Sequence, residues 1–474
     1  MRKALALFSA LLVMLASLVP VLTSFGARAQ GGGGAVVTIR DAETETLIRT
    51  LAHPLFSAAG VDPALVRITL VQARPINAFV TTGNRLFINT GLIQQAEGVG
   101  ELIGVLAHET GHIAGGHVSR LPEEMRNAMI RSIAGMLLGG AAVAAGGRNV
   151  GGNAAGAIAL GSQAMAMGEL YAFTRTQEQA ADQAGMLYLD RLGWSGRGLE
   201  RLLERLKDQE LLATARQDPY FRTHPLSRDR LEFVKDWVAH SRASDKPFPP
   251  GFESAFRMVK AKLDGFIDAP ATTWRRYPES DTSAPARYAR AIAQYRSGRA
   301  DVALGILESL VKEQPNSPWL RELQGQILFE AGRVREAIPP LREAARLAPG
   351  QALIRLAFGR ALMEAGEPAQ LRAAVEELEA CLRIERDNAF AWRQLGIAYG
   401  RLGQMPQADL ALAEEAMLLG DYPTVRFLAR RAEEALPPGP LRLRAQDLRY
   451  AVQRDNLTRE QREQDDAMRR RSRH

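Results

Sequence analysis

The stretch Leu106-Ala-His-Glu-Thr-Gly-His112 places two histidines four residues apart, with a glutamate directly after the first. It lies in an apolar run that begins at Leu102, so it reads as a helix. Residues four apart share a helix face, and both imidazoles, His108 and His112, can reach one zinc ion. Glu109 stands beside such an ion rather than on it, where it can take a proton from a water the metal activates. The chain has seven histidines, and a chance match to this pattern is on the order of one in a hundred.

A zinc site on His108 and His112 needs a third ligand. An extended motif with glycine and then a third histidine fits Gly115 but fails at Val118. His117 comes one residue early, and continued helix geometry turns it away from the metal, so it reads as structural. The better candidate is Glu178-Gln-Ala-Ala-Asp182, 66 residues after His112, in a polar helical stretch. Glu178 completes a two-histidine, one-carboxylate site with an open position. Asp182, four residues on, shares its face and can hold a ligand imidazole by its other nitrogen. By itself such a pair is usually a solvated helix face.

Composition supports this donor set. The only cysteine is Cys381, which excludes a disulfide framework and Cys-rich zinc fingers. It reads as a small buried apolar residue rather than a nucleophile. A length of 474 residues, 46% hydrophobic and 24% charged, is an ordinary globular balance for two to three domains. The net charge is +7, but seven of the 60 basic residues are lysine and 53 are arginine, spread among acidic residues. That pattern argues against nucleic-acid binding.

Residues 1–29 have the parts of a secretory signal: Arg2 and Lys3, the uncharged run Ala4 to Val21, and Ala27-Arg28-Ala29 before a mature start at Gln30. The competing reading is an uncleaved anchor. Residues 30–40, opening on a glycine run, read as a flexible spacer. From 41 to 240 the pattern is mixed. Asp41 caps a helix towards Phe56 that Pro54 should kink or shorten. Val66 to Val71 alternates like a strand, and Ala78 to Thr81 with Arg85 to Asn89 reads as a hairpin turned at Gly83-Asn84. Ser132 to Gly168 carries Arg148 as its one charge and is rich in Gly and Ala. It reads as two Ala-rich helices near a site in preference to a membrane hairpin, with peripheral membrane contact left open. Residues 241–283 are Pro/Asp/Ser-rich and read as a linker.

Residues 284–452 repeat. Units beginning at Ala284, Pro318, Ala352 and, after about three inserted residues, Ala389 place Gly325, Gly359 and Gly396 at the eighth position. Gly298, Gly332, Gly366 and Gly403 fall at the fifteenth, and Ala303, Ala337 and Ala408 at the twentieth. This resembles the 34-residue tetratricopeptide (TPR) pattern, in which stacked helix pairs form a groove. Residues from about 423 would cap the array, and 453–474 form a charged tail. The expected fold class is α+β: a mostly helical metallopeptidase domain with a small β-sheet, then an all-α TPR solenoid.

Asn77-Ala-Phe-Val, Gly91-Leu-Ile, His108-Glu-Thr-Gly-His112 and Glu178-Gln-Ala-Ala-Asp182, in this order, resemble the gluzincin peptidases that include HtpX and the membrane CAAX prenyl endopeptidase. The signal segment and TPR array are similar to a periplasmic protease-chaperone branch of that family, over about Thr38 to Val452. The resemblance implies one zinc per chain on His108, His112 and Glu178, Glu109 as catalytic base, and a supporting role for Asp182. Arg222-Thr-His224-Pro225-Leu226 resembles a family segment whose histidine occupies the open zinc position and keeps the enzyme latent. From the residues alone His224 is a loop histidine, and stabilising an oxyanion beside the zinc is its other candidate role. The resemblance further implies misfolded or misassembled envelope proteins as substrates, and a protein partner in the TPR groove such as outer-membrane assembly machinery. Asn77 to Val80 reads either as an edge strand that pairs with extended substrate or as a core hairpin. His53, His240 and His474 have no partner at useful spacing. Two functions follow: a secreted zinc endopeptidase, or chiefly a TPR chaperone or scaffold with a latent metal site.

Overall fold

A computed structural model describes residues 37–120, 123–124, 174–207, 224, 228–453 and 456–471. Residues 1–29, read as a secretory signal, and the Ser132 to Gly168 stretch lie outside the described residues. The chain divides into two compact units, Met1–Leu263 and Asp264–His474.

In the first unit β1 (Thr38–Ile39) lies at the end of the expected spacer and pairs antiparallel with β2 (Arg67–Val71). Between them runs α1 (Ala42–Ala58), whose cap Asp41 accepts the Thr44 N–H at 2.7 Å. Lys262 reaches the Asp41 carboxylate at 2.5 Å and Glu43 at 3.3 Å. Pro54 does not end this helix. Leu51, Ala52, Leu55 and Phe56 are fully buried on either side of it, and their packing outweighs one missing N–H.

β3 (Ala78–Thr81) and β4 (Arg85–Asn89) form the expected hairpin. Gly83 (φ 79°) and Asn84 (φ 54°) supply the left-handed conformations its loop needs. β2 lies parallel to β4, the sheet order is β1-β2-β4-β3, and β3 is therefore an edge strand. Buried Leu70, Ala78, Leu86 and Ile88 form its core side.

After α2 (Thr90–Gln95) comes α3 (Val99–Gly115), buried along almost its whole length. It packs against α1, β3, the helix over 174–192 (α4) and α5 (Arg197–Leu206), and α5 in turn packs against α6 (Arg228–His240). Gly104 lets α3 meet α5 backbone to backbone, because a Cβ there would stand 2.7 Å from the Leu199 nitrogen. The segment read as a linker, 241–283, carries α7 (Phe252–Ile267), with Phe256, Val259 and Leu263 buried, and α8 (Pro270–Arg276).

The second unit is a helical array. First helices begin at Ala284 (α9, to Arg296), Pro318 (α11, to Glu330), Ala352 (α13, to Ala365) and Ala389 (α15, to Arg401). Second helices are α10 (Ala300–Glu313), α12 (Val334–Leu347), α14 (Pro368–Ile384) and α16 (Met405–Leu419). The starts coincide with the repeat units read from sequence. Gly325, Gly359 and Gly396 lie against Leu341, Leu378 and Leu412, each too close for a Cβ without a shift. Cys381 is fully buried. α17 (Tyr422–Ala435) and α18 (Pro440–Ala451) close the array over Val425, Ala429, Ala432 and Leu448. The charged tail holds α19 (Arg459–Arg471), tied down by an Arg426–Asp465 pair at 2.7 Å. Among the described residues no helix is long and apolar enough to cross a membrane.

Candidate metal centre

Two glycines build the centre. A Cβ on Gly111 would stand 2.6 Å from the Ala181 carbonyl oxygen, and one on Gly185 would stand 3.0 Å from the Ala107 backbone. With neither present, α3 and α4 meet closely. His108 and His112 on one helix then face Glu178 and Asp182 on the other, each pair one turn apart.

The side chains converge on one point. His108 Nε2 lies 3.1 Å from His112 Nε2, 3.3 Å from Glu178 Oε2 and 3.4 Å from His224 Nδ1. Glu178 Oε1 lies 3.3 Å from both His112 Nε2 and His224 Nδ1. All four residues are buried, and one ligand atom from each falls within 4.8 Å of the others. Imidazole lone pairs aimed at each other repel unless a proton or a cation lies between them. A tetrahedral ion with bonds of about 2.0–2.1 Å holds its donors about 3.3–3.4 Å apart. The donor set and its spacings fit such an ion.

The supporting contacts fix which nitrogen faces inward. His108 Nδ1 donates to Asp182 Oδ1 at 2.8 Å, leaving Nε2 for the centre. Arg230, at 1% exposure, holds Asp182 by Nε at 2.6 Å and Nη2 at 3.0 Å, and reaches Glu178 by Nη1 at 2.9 Å. No reading of the sequence singled out Arg230. His224 is brought in from outside both helices. Its Nε2 lies 3.1 Å from the Ala78 carbonyl of edge strand β3 and 3.3 Å from Glu109 Oε1.

Glu109 is fully buried, and neither of its oxygens has a hydrogen-bond partner among the described residues. Burial raises its pKa, against the pull of His224 and His108. Burial opposes ionisation of His108, but the Asp182 and Glu178 carboxylates outweigh it and push the ring up to about 10. His112 is driven down to about 3, chiefly by burial. Burial works against ionised Glu178 and Asp182, yet the cations around them hold both low: His224 and His108 at Glu178, Arg230 and His108 at Asp182. His224 is raised, Glu178 and Glu109 overcoming its burial.

His117 is not among the converging donors, yet it does not take the direction that continued helix geometry gives it. α3 ends at Gly115, and Gly116 (φ 63°) turns the chain back. His117 Nδ1 comes to 3.0 Å from His112 Nδ1, with the two rings edge to face. His53 and His240 lie far out on exposed helix surfaces, and His240 pairs with its own turn at Asp236.

Residues 39–238 match the family described as Peptidase family M48, whose members' chemistry implies a metal. The chain is 25% identical over 437 residues to the beta-barrel assembly-enhancing protease of Escherichia coli (strain K12), covering 90% of this chain and 85% of that protein. It is 25% identical over 424 residues to the protein of that name from Yersinia pestis, covering 87% and 83%. The metalloprotease LoiP of Escherichia coli (strain K12) is 27% identical over 205 residues, covering 43% of this chain and 73% of LoiP. Among solved structures, MamA (MSR-1) covers 35% of this chain and 93% of its own at 18% identity and a TM-score of 0.31. YrrB, described as a TPR protein with an unusual peptide-binding site, covers 37% and 91% at 19% and 0.31. The match of residues 39–238 to that family, the assembly-enhancing relatives and the helix-pair array together make this chain a metalloendopeptidase whose first unit is similar to family M48 and is followed by a TPR-like helical array.

Proposed function

We propose that the chain is a periplasmic zinc endopeptidase that cleaves misfolded or misassembled envelope proteins, and that its TPR-like array binds the client or a protein partner. The convergence of His108, His112, Glu178 and His224 at tetrahedral spacing carries this reading. His108, His112 and Glu178 hold one zinc, which when bound supplies a Lewis acid that polarises a peptide carbonyl and acidifies a water. Asp182 keeps the His108 proton on Nδ1, and Arg230 pairs with both carboxylates and holds them in place. Glu109, buried with no hydrogen bond to its oxygens and with His224 Nε2 3.3 Å from Oε1, takes the proton of the attacking water and passes it to the leaving amine. Edge strand β3 offers its backbone to an extended substrate. Domain limits at 41–240 and 284–452 and secretion by residues 1–29 belong to the same reading.

His224 supports a resting state that is closed. Its Nδ1 takes the fourth corner, and its Nε2 takes the Ala78 carbonyl, so it stands across both the water position and the edge strand. This geometry favours an inhibitory fourth donor over an oxyanion helper. It equally favours the second reading, a TPR chaperone or scaffold whose metal site stays latent. Glu109→Gln separates the two. It should retain one zinc per chain and client capture while losing cleavage. Cells in which Glu109→Gln restores envelope assembly as well as the native chain would support the scaffold and contradict the protease. Deleting 284–452 should abolish client capture and leave the zinc content intact.

A further inference from the structure

We propose that His117 is the positioning residue of His112, its imidazole serving as the hydrogen-bond acceptor that fixes the ligand tautomer. The inference rests on the metal-ligand reading of His112. For His112 to ligate through Nε2, the nitrogen that faces His108 and Glu178, its proton must sit on Nδ1. That proton then needs an acceptor. His108 has the Asp182 carboxylate for this purpose, whereas the atom facing His112 Nδ1 is His117 Nδ1, at 3.0 Å. Two ring nitrogens at that distance bond only if one donates and the other accepts. Donation by His112 leaves its Nε2 lone pair free for a metal. Donation by His117 places the His112 proton on Nε2, against the centre.

The local backbone is built for this contact. Gly116 is in the left-handed region at φ 63°, open to glycine and costly to most other residues. A Cβ on Gly115 would stand 2.2 Å from His117 Nε2, so the ring packs where the side chain of residue 115 would be. The two glycines end α3 and return the chain, bringing the fifth residue after His112 onto His112 itself. The two ligand histidines are thus held by different acceptors, a charged carboxylate for His108 and a neutral ring for His112. The neutral acceptor makes His112 the less strongly anchored donor.

The test measures zinc affinity of the full-length chain by competition with a chelator of known affinity. The chains compared are the native one, His117→Leu, His117→Asn, Gly115→Ala and His112→Ala, each checked for folding by thermal melting of the metal-free form. His117→Leu should weaken zinc binding about 10–100-fold. His117→Asn, whose side-chain carbonyl stands where Nδ1 was, should recover to within a few-fold of native. Gly115→Ala keeps every polar group but displaces the ring, and should weaken binding in the same direction as Leu. If Leu fails to fold, Asn and Gly115→Ala still decide the matter. Native affinity in His117→Leu, or tighter binding by Leu than by Asn, would overturn the inference and leave the metal site standing. Native affinity in His112→Ala would overturn the ligand reading itself.

Discussion

Glu178 and Asp182 are two carboxylates at almost no exposure, and their charge is tolerated because Arg230 and His108 surround them. Arg230→Met therefore strands buried negative charge. It should destabilise the metal-free protein by about 3–5 kcal/mol in denaturant unfolding, and zinc should restore part of that loss by mass action. An unchanged midpoint would show that the arginine is not the counter-ion. Asp182→Asn presents the wrong atoms to His108 and should lower zinc affinity about 10–100-fold in chelator competition. At this scale the sequence was readable where spacing alone does the work: the four-residue steps from His108 to His112 and from Glu178 to Asp182. It was silent on Arg230, one of 53 arginines with no spacing to mark it. It hid the contact between His117 and His112, because 3.6-residue geometry was extended past Gly115 and Gly116, where the helix stops. His224 was marked only by family resemblance, since nothing local distinguishes a loop histidine that travels to the centre.

Helices meet where side chains are missing. The α3–α4 contact depends on Gly111 and Gly185, so Gly111→Ala drives a methyl group into the Ala181 carbonyl. It should cost about 1–3 kcal/mol and loosen zinc by separating the histidines from Glu178, which zinc titration of the folded variant would read. Helix α1 carries a second device at its start. Burial alone would raise the Asp41 pKa, but Lys262 and the Thr44 N–H hold it below its usual value. The stabilisation is therefore present at neutral pH and is lost as pH falls below about 4 through the lowered folded pKa. Lys262→Met should destabilise the protein by about 2 kcal/mol at pH 7. The gap to the native chain should narrow in melts below pH 4. A gap that widens on acidification would contradict the pairing. At this scale Asp41, the hairpin at Gly83-Asn84 and all four first-helix starts were legible. Pro54 was not, because burial of Leu51, Leu55 and Phe56 overrides a local helix-breaking signal that sequence weighs alone.

The whole molecule joins a site built from long-range convergence to an array built from neighbours. The repeat is legible in sequence because each helix pair packs on the next through residues at fixed intervals, so the pattern is local. The centre assembles residues from 108 to 230, and only its ligand spacings within helices leave a local trace. The same contrast separates their failure. Leu448→Ala removes a nearly fully buried side chain from the closing helices, and should cost the array about 2–5 kcal/mol in thermal melting. Zinc content should stay at one per chain. Loss of zinc in that variant would mean that the two units do not fail independently.

The proposed function stands or falls with a hydrolytic zinc on His108, His112 and Glu178, with Glu109 as base and His224 as restraint. Casein degradation by the purified, zinc-loaded His224→Ala protein tests it most directly, beside native chain and the His224→Ala, Glu109→Gln double variant. His224→Ala should cleave faster than native chain, and the double variant should not cleave. Equal cleavage by the single and double variants would contradict Glu109 as base, and a zinc-loaded His224→Ala that is less active than native would contradict the restraint.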